Sequence, residues 1–198
     1  MKTKHLFGVI LAMLVIIPGI SFSQETKVKE PIKPALLIID IQNAFLPMIP
    51  EREKEVAFYC INNYIQLFRS HNLPIIRVYH QSKEYGVEPG TDQFEFPASV
   101  EIKPEDAKVI KTYPDGFNKT DLDKVIRESG SNTLFLCGLS AVGCVLATWI
   151  GANNHDYQAF LLKDAIMSHN EEYTHNVEVM FDAVGYEMVK LIVENAGK

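Results

Sequence analysis

Apolar runs recur along the chain at Ala35 to Ile39, Leu73 to Val78, Thr133 to Cys137 and Ala159 to Leu162, with thinner versions at Ala107 to Ile110 and Tyr186 to Leu191. They do not alternate with polar residues, and strands that are apolar throughout are those covered on both faces, as in parallel sheets. Between the runs the period lengthens to that of a helix. Ala57, Ile61, Tyr64, Ile65 and Phe68 share one face of the stretch from Glu51 to His71. Leu122, Val125 and Ile126 follow a cap candidate at Thr120 and end before Gly130, a residue suited to the left-handed position after a helix. Val145, Leu146, Trp149 and Ile150 run on to Asn153 or Asn154, and Val177, Met180, Phe181 and Val184 predict a last helix from Glu171 to a stop at Gly185. Strand and helix in alternation predict an α/β fold: a three-layer α/β/α sandwich around a mostly parallel, six-stranded, Rossmann-like sheet spanning residues 35–198.

The two ends of the pattern differ from its middle. Lys2, Lys4 and His5 precede an apolar run from Leu6 to Ile20, followed by Ser21-Phe22-Ser23, the layout of a secretory signal peptide over residues 1–23. Residues 24–34 are polar, carry Pro31 and Pro34, and read as a linker. The expected product is an exported protein, periplasmic or secreted, with no membrane attachment after cleavage. Loss of the leader leaves 17 basic against 25 acidic residues, a formal charge of −8, which argues against nucleic acid as a partner. Cys60, Cys137 and Cys144 are an odd number with no framework spacing, so at least one thiol is expected free, while a Cys60 to Cys137 bridge stays open.

In an open parallel sheet the site lies beyond the carboxyl ends of the strands, where strand order reverses. Asp40, His80, Lys111 and Gly138 each sit at or just past such an end. Cys144 opens the helix after Thr133 to Cys137, where unpaired N–H groups and the helix dipole favour a thiolate. The alternative for a lone cysteine is a small buried hydrophobe. Asp40, Lys111 and Cys144 together supply a base, a cation and a nucleophile. The loop from Gln81 to Glu105 is long for a compact domain and is expected to cover a site or an interface.

Three blocks carry a family resemblance: Leu37-Ile-Ile-Asp40-Ile-Gln42-Asn43-Ala-Phe45; Val109-Ile-Lys111 with Phe117 and Thr120-Asp-Leu; and Cys137-Gly138-Leu-Ser140-Ala-Val-Gly-Cys144-Val145 with Thr148. In order and spacing the chain resembles the isochorismatase-like cysteine hydrolases, a family that includes nicotinamidases and other small amidases. The resemblance implies Cys144 as nucleophile, Asp40 as general base and Lys111 as the cation beside both. It also implies an oxyanion hole from the backbone N–H groups of Ser140 and Cys144, with a cis peptide between Leu139 and Ser140. Nicotinamidases bind a metal through an aspartate and histidines after the second strand. Here His80 stands where that aspartate would be and Ser82 where a histidine would be, so no metal and no cofactor are expected, and nicotinamide is an unfavourable substrate.

His80 is expected either to face the substrate or to be a hydrogen-bonded structural group. Phe45, Phe117 and Trp149 are candidates for an apolar substrate pocket, with core packing as the alternative for each. His169 and His175 read as surface or interface groups. The expected activity is hydrolysis of a small-molecule amide through a thioester. Its rivals are an isochorismatase-type hydrolase that cleaves a vinyl ether with Asp40 and no thiol, and a non-catalytic binding protein on the same scaffold. Family likeness further implies a homodimer or homotetramer.

Overall fold

A computed structural model describes residues 30–197. The expected signal peptide and residues 24–29 of the expected linker lie outside them. Residues 31–34 are not a free linker. Lys33 donates from its amide to Asn132 Oδ1 at 2.9 Å, the Asn132 amide returns a bond to Lys33 O at 2.9 Å, and Pro34 is the first residue of a strand.

Five strands, β1 (Pro34–Ile39), β2 (Ile75–His80), β3 (Ala107–Lys111), β4 (Thr133–Leu139) and β5 (Gln158–Met167), form one all-parallel sheet in the order β3-β2-β1-β4-β5. The helices are α1 (Glu51–Ser70), α2 (Leu122–Glu128), α3 (Cys144–Asn154), α4 (Glu171–Met180) and α5 (Tyr186–Glu194). The unbroken apolar run of β1 serves two cores at once. Leu36 and Ile38 point into a cluster with Ile61, Tyr64 and Phe68 of α1, while Ala35, Leu37 and Ile39 join Leu122 and Ile126 of α2 and Val145 of α3 on the opposite face. Each of these residues is fully buried, and at roughly 1.5–3 kcal/mol per large aliphatic side chain this strand is a main source of the fold's stability.

Two expectations are corrected. The sixth run is helical: Tyr186, Val189 and Val193 are spaced by three and four, Glu187 and Lys190 lie between them, and Val189 and Val193 pack on the α1 side of the sheet. Correspondingly, Gly185 does not stop α4, which ends at Met180; it is the N-cap of α5. What remains of a sixth strand is a single parallel bridge between Leu162 and Val184. Thr120 contributes to the start of α2 by accepting from the Leu122 amide at 3.1 Å, although Asp121 occupies the cap position.

The Gln81 to Glu105 loop is more structured than its composition predicts. Ser82 and Val87 pair in an antiparallel bridge, and a short 3-10 turn spans Asp92–Phe94. Phe94 and Phe96 pack on Tyr79 of β2 at centroid distances of 5.0 and 4.4 Å, and with Val100 they anchor the second half of the loop to the core. All three cysteines are free, and the open Cys60 to Cys137 bridge is not formed.

Candidate active site

Strand order leaves β1 toward β2 on one side and toward β4 on the other, so the reversal lies at β1 and β4. Asp40 follows β1 there, with a positive φ of 52° that is uncommon for a residue bearing a side chain. Next to it on β4, Gly138 has φ 115°, and a Cβ would sit 2.1 Å from the carbonyl oxygen of Ile39. Only glycine lets the two strand ends come this close. On the other flank, His80 and Lys111 end β2 and β3 in register with each other.

Lys111 is 1% exposed, and its Nζ donates to Asp40 Oδ2 at 2.6 Å. The same ammonium lies 3.2 Å from His80 Nδ1. An ammonium can only donate, so Nδ1 is the acceptor and the ring proton is on Nε2. Burial and the Lys111 charge pull His80 down to about 4, which keeps the ring neutral near pH 7. Burial pushes the Asp40 carboxyl above the ordinary carboxylate range while Lys111 pulls the other way.

Cys144 is the first residue of α3, behind Gly143 at the N-cap. One ligand-type atom from each of Asp40, His80 and Cys144 lies within 4.8 Å of the others. The helix start is not the main influence on this thiol. Burial, then the negative charge of Asp40, pushes the thiol up to about 12, and Lys111 opposes both.

Two further features converge on this point. Of the buried side-chain oxygens without a hydrogen-bond partner among the described residues, Asp40 Oδ1 and Ser140 Oγ belong to residues that line the Cys144 cavity. In the loop between β4 and α3, Gly143 and Val145 donate to the Ser140 carbonyl and Ala141 donates to Met167 O, whereas the amides of Ser140 and Cys144 take part in none of these bonds. The Leu139 to Ser140 peptide is cis.

The cavity is about 260 Å³. Asp40, His80, Ser140 and Cys144 form its floor together with Leu139; Phe45, Met48, Ile49, Tyr85 and His169 form its walls and rim. Phe45 meets His80 edge-on at 6.1 Å. Two of the expected pocket residues are elsewhere. Phe117 stacks on His155 at 4.6 Å within the α2 and α3 core, and Trp149 packs against Phe181 while its Nε1 donates to Ala159 O. His169, read as a surface or interface group, lines the cavity. Met48, Ile49 and Tyr85 follow no motif and could not be picked out from the sequence.

Gln42 and Thr148, which sequence reasoning quoted without a role, are fasteners. Fully buried Gln42 donates from Nε2 to His80 O at 3.0 Å and Phe94 O at 2.9 Å, and accepts from the His80 amide at 2.6 Å. It ties the β1 exit to β2 and to the long loop. Thr148 Oγ1 accepts from the Gly116 amide at 2.9 Å and so anchors the segment after β3 to α3. As a metal site, the Asp40, His80 and Cys144 cluster is compromised by Lys111, whose ammonium occupies lone pairs on two of the three.

Comparison with known proteins agrees with this architecture. The family model described as "Isochorismatase domain" matches residues 34–188. The uncharacterized isochorismatase family protein YddQ of Bacillus subtilis is 29% identical over 140 residues, covering 66% of this chain and 76% of that protein. Streptothricin hydrolase of Streptomyces noursei is 27% identical over 135 residues, covering 66% of this chain and 53% of that hydrolase. Among solved structures, N-carbamoylsarcosine amidase from Thermoplasma acidophilum shares the fold with a TM-score of 0.66 at 24% identity, covering 78% of this chain and 95% of that one. With a five-stranded parallel sheet, a reversal point at Asp40 and a family model spanning most of its length, the chain belongs to the isochorismatase family of hydrolases.

Proposed function

We propose that this protein hydrolyses the C–N bond of a small amide through a thioester on Cys144, with Asp40 as proton carrier and Lys111 as its counter-charge. One observation supports this above the rest: one small cavity is lined by a thiol, by a carboxylate with an oxygen that has no partner among the described residues, and by two residues whose backbone amides are unclaimed among the described residues. In the resting site Lys111 is the ammonium, Asp40 the carboxylate and Cys144 the thiol. As sulfur bonds to the substrate carbonyl carbon, its proton passes to Asp40 Oδ1, and the Ser140 and Cys144 N–H groups hold the developing oxyanion. Asp40 then gives that proton to the departing nitrogen, the C–N bond breaks, and ammonia or an amine leaves behind a thioester. Water adds to the thioester with Asp40 accepting its proton; the C–S bond breaks, the acid departs and the thiol is restored. The raised Asp40 is a stronger base than an exposed aspartate, which suits it to take a proton from a thiol.

Export through residues 1–23 and assembly into a homodimer or homotetramer are part of the same reading and rest on the sequence. Intact-mass spectrometry of the protein with a panel of primary amides tests the mechanism. An adduct equal to the acyl group, absent from Cys144→Ala, is the expected result; turnover in Cys144→Ala would overturn it.

A further inference from the structure

Resting on the amidase reading above, we propose that the substrate class is amides with a small, uncharged, apolar acyl group, and that acyl groups bearing a carboxylate are rejected. The support is the chemistry of the cavity wall. Among the described residues no lysine or arginine lines it, and the one lining carboxylate is that of Asp40. Lys111 is buried and its ammonium already donates to Asp40 and His80, so it is engaged within the site rather than presented to a second anion. Phe45, Ile49 and Leu139 offer carbon to the acyl chain, with Met48 and Tyr85 extending the same character to the rim.

The size agrees. About 260 Å³ is the volume of roughly nine water molecules, enough for an acyl group of about that many non-hydrogen atoms. Amide chemistry accounts for most of the polar atoms on the floor: Asp40 Oδ1 receives the proton and two amides receive the carbonyl oxygen. His169 is the remaining lining side chain capable of positive charge, and its ring packs edge-on against Tyr173 at 5.4 Å, a residue outside the lining. A carboxylate in the cavity would lose water next to another carboxylate, a cost that no paired cation offsets. The same reasoning disfavours isochorismate, a dicarboxylate, as substrate.

The test compares kcat/KM for ammonia release from hexanamide and benzamide with that from succinamate, 4-carbamoylbenzoate and 6-aminohexanamide, alongside the mass of the Cys144 adduct. The uncharged pair should be favoured by about 100-fold, the scale at which a pocket rejects a group it cannot pair. Met48→Arg, at a rim position 61% exposed and tolerant of a long side chain, should improve succinamate at least about tenfold relative to hexanamide. Equal or faster acylation by succinamate or 4-carbamoylbenzoate in the unmodified protein would overturn this inference and leave the amidase reading standing. Failure of every amide to acylate Cys144 would instead overturn the amidase reading, and this inference with it.

Discussion

Two aspartates in this molecule are paired with buried or half-buried cations, and they are satisfied to different degrees. Asp106 accepts from Arg69 Nη1 and Nη2 at 3.0 and 3.1 Å, one bond to each oxygen, and Oδ2 takes a further bond from the Lys103 amide at 2.7 Å. It holds the loop before β3 to α1. Asp40 is as deeply buried, yet only Oδ2 has a partner, and Oδ1 is left open toward Cys144. Buried carboxylates are normally saturated, because an unpaired oxygen forfeits the hydration it gave up. The first aspartate is a fastener; the second retains a lone pair that the fold could have used, which is what a proton acceptor requires.

Removing the acceptor's partner in chemistry gives the largest effect. Cys144→Ala should lower amide turnover by at least about 10⁴-fold with the circular dichroism spectrum and melting temperature retained, since loss of the attacking atom removes the covalent route. A smaller loss would mean the open oxygen serves a reaction that needs no thiol. Asp40→Asn comes next, with activity down about 10³-fold, and it should also lower stability by about 3–5 kcal/mol because buried Lys111 then has no counter-charge. Asp106→Asn is the control for the comparison: stability should fall by about 1–3 kcal/mol in urea melts while kcat/KM stays within about twofold. Loss of activity there would erase the distinction between fastener and acceptor.

Titration sharpens the contrast. Burial raises Asp40 in the folded protein, and only its ionised form can accept the thiol proton. The acid limb of kcat/KM should therefore turn at a pH above the ordinary carboxylate value of about 4. A limb at or below that value would show that burial does not govern Asp40. The smallest effect belongs to His80. Its folded value is lowered to about 4 from an ordinary value near 6.5, so between those limits the unfolded chain binds a proton that the folded one does not. Stability is full above pH 6.5 and falls as pH drops toward 4. His80→Asn should flatten that part of the profile, and an unchanged slope would rule out His80 as its source.

Sequence reasoning worked best where a residue type answers a local demand. Five of the six strand runs, the left-handed Gly130 at φ 73° and the convergence of Asp40, Lys111 and Cys144 were all legible, because strand ends of a parallel sheet share one rim. The pocket walls were not. Phe45 lines the cavity whereas Phe117 and Trp149 do not, although all three are aromatic residues close to motif positions. Their difference depends on which face of the sheet each segment crosses. Tyr186 to Leu191 failed for a related reason: its apolar content is compatible with a strand, and the polar residues between its buried positions decide for a helix against α1.

By itself the sequence determined that this is an α/β protein of a recognisable family, since apolar period, glycine placement and three spaced motifs are written in residue order. Only the tertiary structure decided that Asp40 has a bonded and an open oxygen, that burial and Asp40 push the Cys144 thiol up, and that among the described residues the cavity beside it has mostly apolar walls and no lysine or arginine. Those properties arise from burial and from partners far apart in the chain, such as Lys111, 71 positions beyond Asp40. Solvation and charge are summed over neighbours in space, and residue order does not specify those neighbours until the chain has folded.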